Sequence, residues 1–579
     1  MVYASDKKRI LFMIFLSLIS TLKNIISVLF IKIALDCIII YQSFQYLLLL
    51  VLIERTVSFM LSYFECLLQW KKCPISDNII KEHILKSVYA KSLKIGLSEL
   101  DTSEFYDKFN RAIGEAEQRP FAIISTLESF LTSILTMFSI FTVIILLDWK
   151  LIFLSVISSV ISFLINIVIS KYNFKANNAL TRPNRKIGYV QRLFYLPQYI
   201  EEMKANNYNK LLFSKLESGT REYNIQIKKY QPPIAFFDII KNWQTFVINF
   251  GIASIFVGER IISGVIEAAS FTSLIYASTT LSGSLSNLFS VIPQLAQHSL
   301  FIDNLREILD YKSSMEPTED LKVAEKDKSH SIVLDNVSFK YNSSEYDILK
   351  NISLRINKGE KIALVGENGA GKSTLVKLIL RLYDPQNGRV YFDDENYKNL
   401  NVDSLRKEIA VVYQDFQSFA FSIGENVLTR ELKGNEDEQE VWEALKASGL
   451  YSKVEALPDK IHTPLTNEFE ENGTNLSGGE NQKLAIAKAI CKDAGVIIMD
   501  EPSSSLDPLS EHEMYLRMFN MCKDKTLILI SHRLYSTKMV DKIYYMENGS
   551  ILESGNHEEL IRLNGKYARL YKIQAEQYR

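Results

Sequence analysis

The octapeptide Gly366-Glu367-Asn368-Gly369-Ala370-Gly371-Lys372-Ser373 carries the clearest chemistry in the chain. It follows a short apolar strand, Lys361 to Val365, and opens a helical run, Leu375 to Leu382. Strand, glycine loop and helix in that order are what a phosphate-binding loop requires. Glycines let backbone N–H groups curl around phosphate oxygens at a helix N-terminus, where partial positive charge adds attraction. Gly366, Asn368, Gly369 and Gly371 form the cradle, Lys372 reaches the β- and γ-phosphates, Ser373 ligates Mg2+, and Thr374 completes the phosphate contacts. A second apolar strand, Val496 to Met499, ends in Asp500, with Glu501 directly after it. Asp500 is placed to hold Mg2+ and Glu501 to polarise an attacking water, the two acidic roles in phosphoryl transfer to water.

Such motifs need a soluble α/β domain, and the composition confines it to the later half of the chain. At 579 residues and 66.4 kDa the chain is too long for one ordinary core. Before about residue 305 it runs in long apolar stretches with few charges, and after that it mixes charge, Gly and apolar residues. A crossing helix takes about 20 largely apolar residues. Six segments are expected to span: Ile10 to Ile40, Gln45 to Trp70, Ala122 to Leu147, Leu151 to Ile169, Ile234 to Val257, and Phe271 to Ile292. The last is the most polar, and Ser278, Thr279, Thr280, Ser282 and Gly283 suit close helix packing or a polar cavity. Lys7, Lys8 and Arg9 precede an apolar stretch too long for a cleaved signal, so it reads as the first span.

The link between the first two spans has no Lys or Arg, whereas Lys71 to Pro120 and Lys171 to Gln231 each carry about ten. Those two loops and both chain ends are therefore expected on the cytoplasmic side of a multi-pass membrane protein. Glu104, Asp107 and Lys108 alternate with Phe105, Tyr106 and Phe109, so the loops are expected to be helical and to reach well below the bilayer. Glu54 and Arg55 in the second span and Glu128 in the third are costly at that depth. They read either as substrate contacts or as an interhelical ion pair or a polar helix end. Tyr311 to His330, with Pro317, reads as a linker, giving a membrane domain over 1–310, a linker over 311–330 and an α/β nucleotide-binding domain with a helical subdomain over 331–579. A formal net charge of −1 offers no field for nucleic acid, and five unpaired cysteines read as reduced packing residues.

Between the two acidic and glycine motifs lies Leu476-Ser477-Gly478-Gly479-Glu480, ahead of a helix rich in Ala and Ile. It resembles the signature of ABC ATPases. Tyr341 is similar to the aromatic that stacks on adenine, Gln414 to the loop glutamine that senses the γ-phosphate and ligates Mg2+, Ser505-Leu506-Asp507 to the D-loop, and His532 to the switch histidine. Glu480 stands where the family commonly has Gln. In the family each ATP is sandwiched between the glycine loop of one subunit and the signature of another, with Ser477, Gly478, Gly479, Glu480 and Asp507 on the second side. One chain offers one of each, so the resemblance implies a homodimer with two composite sites.

The order of six spans, two long loops and an ATPase resembles a type IV exporter half-transporter. It implies coupling helices near Thr102 to Asn110 and Glu201 to Tyr208, and an X-loop at Glu470-Glu471-Asn472-Gly473, where the family's first Gly is Glu470. The strings Leu97 to Ala112, Tyr413 to Phe416 and Glu202 to Asn207 resemble those of bacterial plasma-membrane exporters of lantibiotics and other modified peptides. That resemblance implies ATP-driven export of a modified peptide by alternating access, with peptide-modifying enzymes and a separate leader protease as partners, since no peptidase domain is expected ahead of the first span. A multidrug or lipid exporter of the same architecture is the alternative. A non-transporting ATPase or an importer is disfavoured by the spans and by their fusion to the ATPase.

Overall fold

In the computed structural model, residues 5–313, 321–342, 344–501, 508–531, 533 and 536–577 are described. Two units divide the chain. One comprises Met1–Lys91 and Lys108–Tyr311, the other Ser92–Asp107 and Lys312–Arg579.

The first unit is helical throughout. Its helices are α1 (Lys7–Asp36), α2 (Phe44–Leu67) and α3 (Cys73–Lys94), then, after the short α4 (Leu97–Leu100) of the other unit, α5 (Ser103–Asp148) and α6 (Leu151–Tyr195), followed by α7 (Pro197–Ala205), α8 (Asn209–Phe246), α9 (Ala253–Ile262) and α10 (Ser270–Leu309). Among the described residues five helical stretches are long and apolar enough to cross a membrane: Lys7–Ile40, Phe44–Lys94, Lys108–Ile145, Leu151–Tyr195 and Asn209–Ile262. The sixth expected span falls in the 40-residue α10, which does not meet that mark by composition.

The reason is visible in the packing. Ser278 and Ser282 on α10 are buried, and Ser155 Oγ lies 2.9 Å from Ser278 Oγ while Ser159 donates to the Ser282 carbonyl at 3.2 Å. On α6 the residues Ser155, Ser158, Ser159 and Ser162 recur at helical spacing and share one buried stripe. Ser158 Oγ also accepts from Gln244 and Asn249 of the α8 side, at 2.9 and 3.1 Å. Small hydroxyl residues thus join α6 to α8 and α10, replacing hydrophobicity with close approach and hydrogen bonds. Elsewhere large apolar side chains face outward, among them Phe59 at 71% and Ile255 at 76% exposure, as a lipid environment demands.

Glu54 is buried, and it is partnered by its neighbour: Arg55 Nε lies 2.7 Å from its Oε2 and Ser58 donates to its Oε1 at 2.8 Å. This pair lies along one helix and not between helices. Glu128 faces Arg9, 3.9 Å away, which donates to Asp77 at 2.7 Å. Among the cysteines Cys37, Cys73 and Cys522 are buried as expected, whereas Cys66 is exposed on α2.

The second unit contains two sheets. One is antiparallel, in the order β2 (Leu349–Ile356), β1 (Ile332–Phe339), β4 (Asn387–Phe392), β5 (Glu395–Asn396). The other, in the order β10 (Ser550–Gly555), β9 (Lys542–Glu547), β3 (Lys361–Gly366), β8 (Thr526–Ile530), β7 (Val496–Asp500), β6 (Ile409–Val412), is parallel except at β10. Side chains alternate along β3. Ile362 and Leu364 enter a core shared with β1 and β2, and Ala363 and Val365 pack on the opposite face with Met514 and Met518. A separate helical subdomain has its own core of Ile423, Val427, Val441, Leu445, Val454, Leu484 and Ala487.

Two expectations shift. The first of the two long loops holds no independent helix over 102–110: its short helix is α4, and Ser103 already begins the long α5. Asp101 and Thr102 end one turn and start the next, the Tyr106 N–H bonding to the Thr102 carbonyl. The second loop holds a discrete helix, α7, with Pro197 in its first turn. The segment read as a linker is also partly built into the second unit: Lys322 bridges to Leu400, and His330 is wholly buried with Asp393 at 2.6 Å and Glu408 at 3.3 Å.

Candidate functional site

The site begins where β3 stops. Gly366 has φ +151°, and a Cβ there would run into the Met546 carbonyl of the neighbouring strand, so only glycine lets the chain leave the sheet at this point. Gly371, at φ +100°, caps α11 (Lys372–Ile379), the helix that follows the loop. Residues 367–369 between them are exposed. Lys372 is buried, its Nζ donating to the carbonyls of Gly366 at 2.9 Å and Glu367 at 3.0 Å. Burial lowers its pKa, while the charges of Glu501 and Asp500 oppose that shift. The ammonium is thus stored on the loop it belongs to, beside the two acids.

β8 separates β3 from β7, so the glycine loop and the Asp500–Glu501 corner emerge from the same edge of the sheet, beyond the C-terminal ends of its parallel strands. That edge is where open α/β sheets bind ligands. Asp500 is buried, and its carboxyl is held above the usual range, first by burial and then by the charge of Glu501, with a Ser373 hydrogen bond and Lys372 opposing. Ser373 and Asp500 already meet, and both offer oxygen donors of the kind Mg2+ takes. Gln414 lies exposed on the turn after β6, the strand beside β7. Glu501 adopts φ +48°, with its N–H on the Ile530 carbonyl at 3.0 Å. A left-handed non-glycine residue of this kind is uncommon and concentrates at functional positions.

Tyr341 is anchored to α11, the helix that the loop opens: its hydroxyl lies 3.1 Å from Thr374 Oγ1, and Lys377 sits over its ring at 5.3 Å. The signature residues sit on the helical subdomain of the same unit. Ser477 caps α12 (Gly478–Cys491) of the helical subdomain, closing a capping box with Glu480, and Ser477 and Gly478 are exposed. His532 and Ser505-Leu506-Asp507 lie outside the described residues.

The structure adds residues that no motif revealed. Tyr383 is buried and donates to Asp101 Oδ2 at 2.6 Å, and Asn342 Nδ2 donates to the Ser98 carbonyl at 2.9 Å. Tyr383 also stands edge-on to Tyr341, 5.3 Å away. A loop that the sequence puts between two spans therefore touches the aromatic group at the nucleotide edge. The partners are 282 residues apart, and nothing local in the sequence signals the pairing.

The ABC transporter family profile matches residues 349–504. The subtilin transport ATP-binding protein SpaT of Bacillus subtilis is 30% identical over 493 residues, spanning 83% of this chain and 78% of that protein. The ATP-dependent lipid A-core flippase of Methylobacillus flagellatus is 36% identical over 318 residues, 54% of this chain and 52% of the flippase. A bacterial Atm1-family ABC exporter solved with ATP bound superposes with a TM-score of 0.81 at 22% identity, covering 98% of each chain.

Proposed function

This chain belongs to the ABC transporter family, as a membrane exporter that hydrolyses ATP, and from that premise we propose that two copies pump a modified peptide out of a bacterial cell. The observation that carries the peptide reading is the reach of the likeness to SpaT, which extends over 83% of this chain, whereas the flippase match stops at 54%. Substrate choice in such proteins belongs to the membrane unit, and a match of 493 residues necessarily takes in much of it, which supports the peptide reading.

The separate cores under the phosphate loop and under the signature support a site whose two halves come from two copies, each chain offering one of each. The exposed Ser477 and Gly478 of one copy close on the phosphates cradled by Gly366, Asn368, Gly369, Gly371, Lys372, Ser373 and Thr374 of the other, with Tyr341 against adenine and Asp507 at the shared boundary. Mg2+ held by Ser373, Asp500 and Gln414 would neutralise phosphate charge. Glu501 orients and deprotonates the attacking water, His532 and Gln414 respond to the γ-phosphate, and loss of that phosphate releases the clamp. Movement reaches the helices through the cytoplasmic tips, giving alternating access with both termini cytoplasmic in the plasma membrane.

The test is export of a co-expressed modified precursor peptide of the lantibiotic type, in cells carrying the wild type or Glu501→Gln. Secretion that depends on Glu501 supports the reading. ATP turnover that lipid or drugs stimulate and the peptide does not would overturn it in favour of a lipid or multidrug exporter, and a monomer in nanodiscs turning over ATP at full rate would overturn the two-copy mechanism.

A further inference from the structure

The signature carries an acid where the family commonly has an amide, at Glu480, and the structure shows how that charge is held. Glu480 folds back on the residue that caps its own helix: its Oε2 accepts the Ser477 N–H at 2.8 Å, and its N–H lies 3.4 Å from Ser477 Oγ. The Ser477 hydrogen bond holds the carboxyl below the usual range, so it is ionised at neutral pH. A carboxylate is thereby fixed on the serine that meets the γ-phosphate. Two anions brought together in a site that closure dries repel each other strongly. A neutral glutamine could make the same capping box without that repulsion.

The other carboxylate oxygen, Oε1, lies 3.2 Å from Lys453 Nζ. Lys453 belongs to the short helix Tyr451–Glu455, a different element of the helical subdomain. With side-chain exposures of 44% and 26%, the pair contributes little to folding. Its consequence lies in the charge that an incoming phosphate meets.

We propose that Lys453 is a positioning residue of the nucleotide clamp, neutralising Glu480 so that Ser477 and its glycines can receive the γ-phosphate of ATP held by a second copy. This rests on the signature reading given above. The ammonium acts through Glu480 and need not touch the nucleotide, so its importance depends on the acid being present.

The experiment is a double-mutant cycle on the full-length protein in nanodiscs, reading the KM for ATP and ATP-driven closure, with Lys453→Met, Glu480→Gln and both together. K453M raises the ATP KM about two- to fivefold, the size of one exposed charge interaction, with turnover at saturating ATP unchanged. Added salt shrinks the effect. With Glu480→Gln already present, K453M shifts KM by less than about 1.5-fold. An equal shift in both backgrounds, or none in either, overturns the proposal. Ser477→Arg separates this from failure of the underlying reading: if it leaves KM and turnover at wild-type values, the signature does not clasp nucleotide at all. If it abolishes turnover while the cycle shows no coupling, only the role of Lys453 falls. Gel filtration and thermal unfolding establish that each variant is folded.

Discussion

Replacing Tyr383 with Phe removes one oxygen atom and should loosen the hold of the ATPase unit on Ser92–Asp107. The phenol is 4% exposed and donates to Asp101 at 2.6 Å. Burial, and then the hydrogen bond to Asp101, push its pKa up, so it stays protonated and remains a donor. A hydrogen bond to a charged acceptor contributes about 1.5–3 kcal/mol. Asp101 is exposed and rehydrates when abandoned, which sets the loss at the lower end, about 1.5 kcal/mol or roughly tenfold in the opening equilibrium. The ring survives, so its edge contacts with Phe339 at 5.4 Å and Tyr341 at 5.3 Å remain. Hydrogen–deuterium exchange with mass spectrometry reads this directly, and the Gly96 amide, which donates to Ser313 Oγ at 3.0 Å, lies within the segment. Peptides covering 92–107 should exchange about tenfold faster while peptides of β3 and β7 keep their rates. Asp101→Ala should act similarly, and the double variant should add nothing further. Unchanged exchange in Tyr383→Phe, or full additivity with Asp101→Ala, refutes the reasoning.

Other consequences are as direct. Glu501→Gln should slow phosphate release at least about a hundredfold while ATP stays bound and the dimer stays closed; rapid release would remove Glu501 from its role. Lys372→Ala should instead weaken ATP binding by at least about tenfold in a filter-binding assay, because it removes the ammonium, now on the Gly366 and Glu367 carbonyls, that we propose pairs with phosphate. The raised pKa of Asp500 means that the nucleotide-free fold binds more protons than the unfolded chain just above the ordinary carboxylate range. Its contribution to stability therefore falls as pH rises through that window. Asp500→Asn should flatten that part of the Tm–pH profile, and an unaltered slope would show that other groups set it.

The chemistry of the site was legible because it is local. A glycine that must adopt φ +151° beneath Met546, and an acid closing a buried strand, leave their mark within a few residues. Contacts made at long range leave none: Tyr383 looks like any aromatic until Asp101 is beside it, and Lys453 like any surface lysine until Glu480 is. Hydropathy marked the spans well where helices meet lipid and less well at α10, whose serines face α6. The short turn of α4 was not legible in the loop between the second and third spans, because amphipathic periodicity continues from Ser103 straight into the long helix and carries no sign of where α4 ends.

The assignment of Ser92–Asp107 to the same unit as the nucleotide site has a practical corollary. A polypeptide starting at Lys312 and running to the C-terminus would be a fold with a piece missing: the Tyr383 hydroxyl would lose its acceptor and the Asn342 amide would lose the Ser98 carbonyl. Kinetic constants measured on such a fragment would describe an enzyme released from its loop, and not the one that works in the membrane.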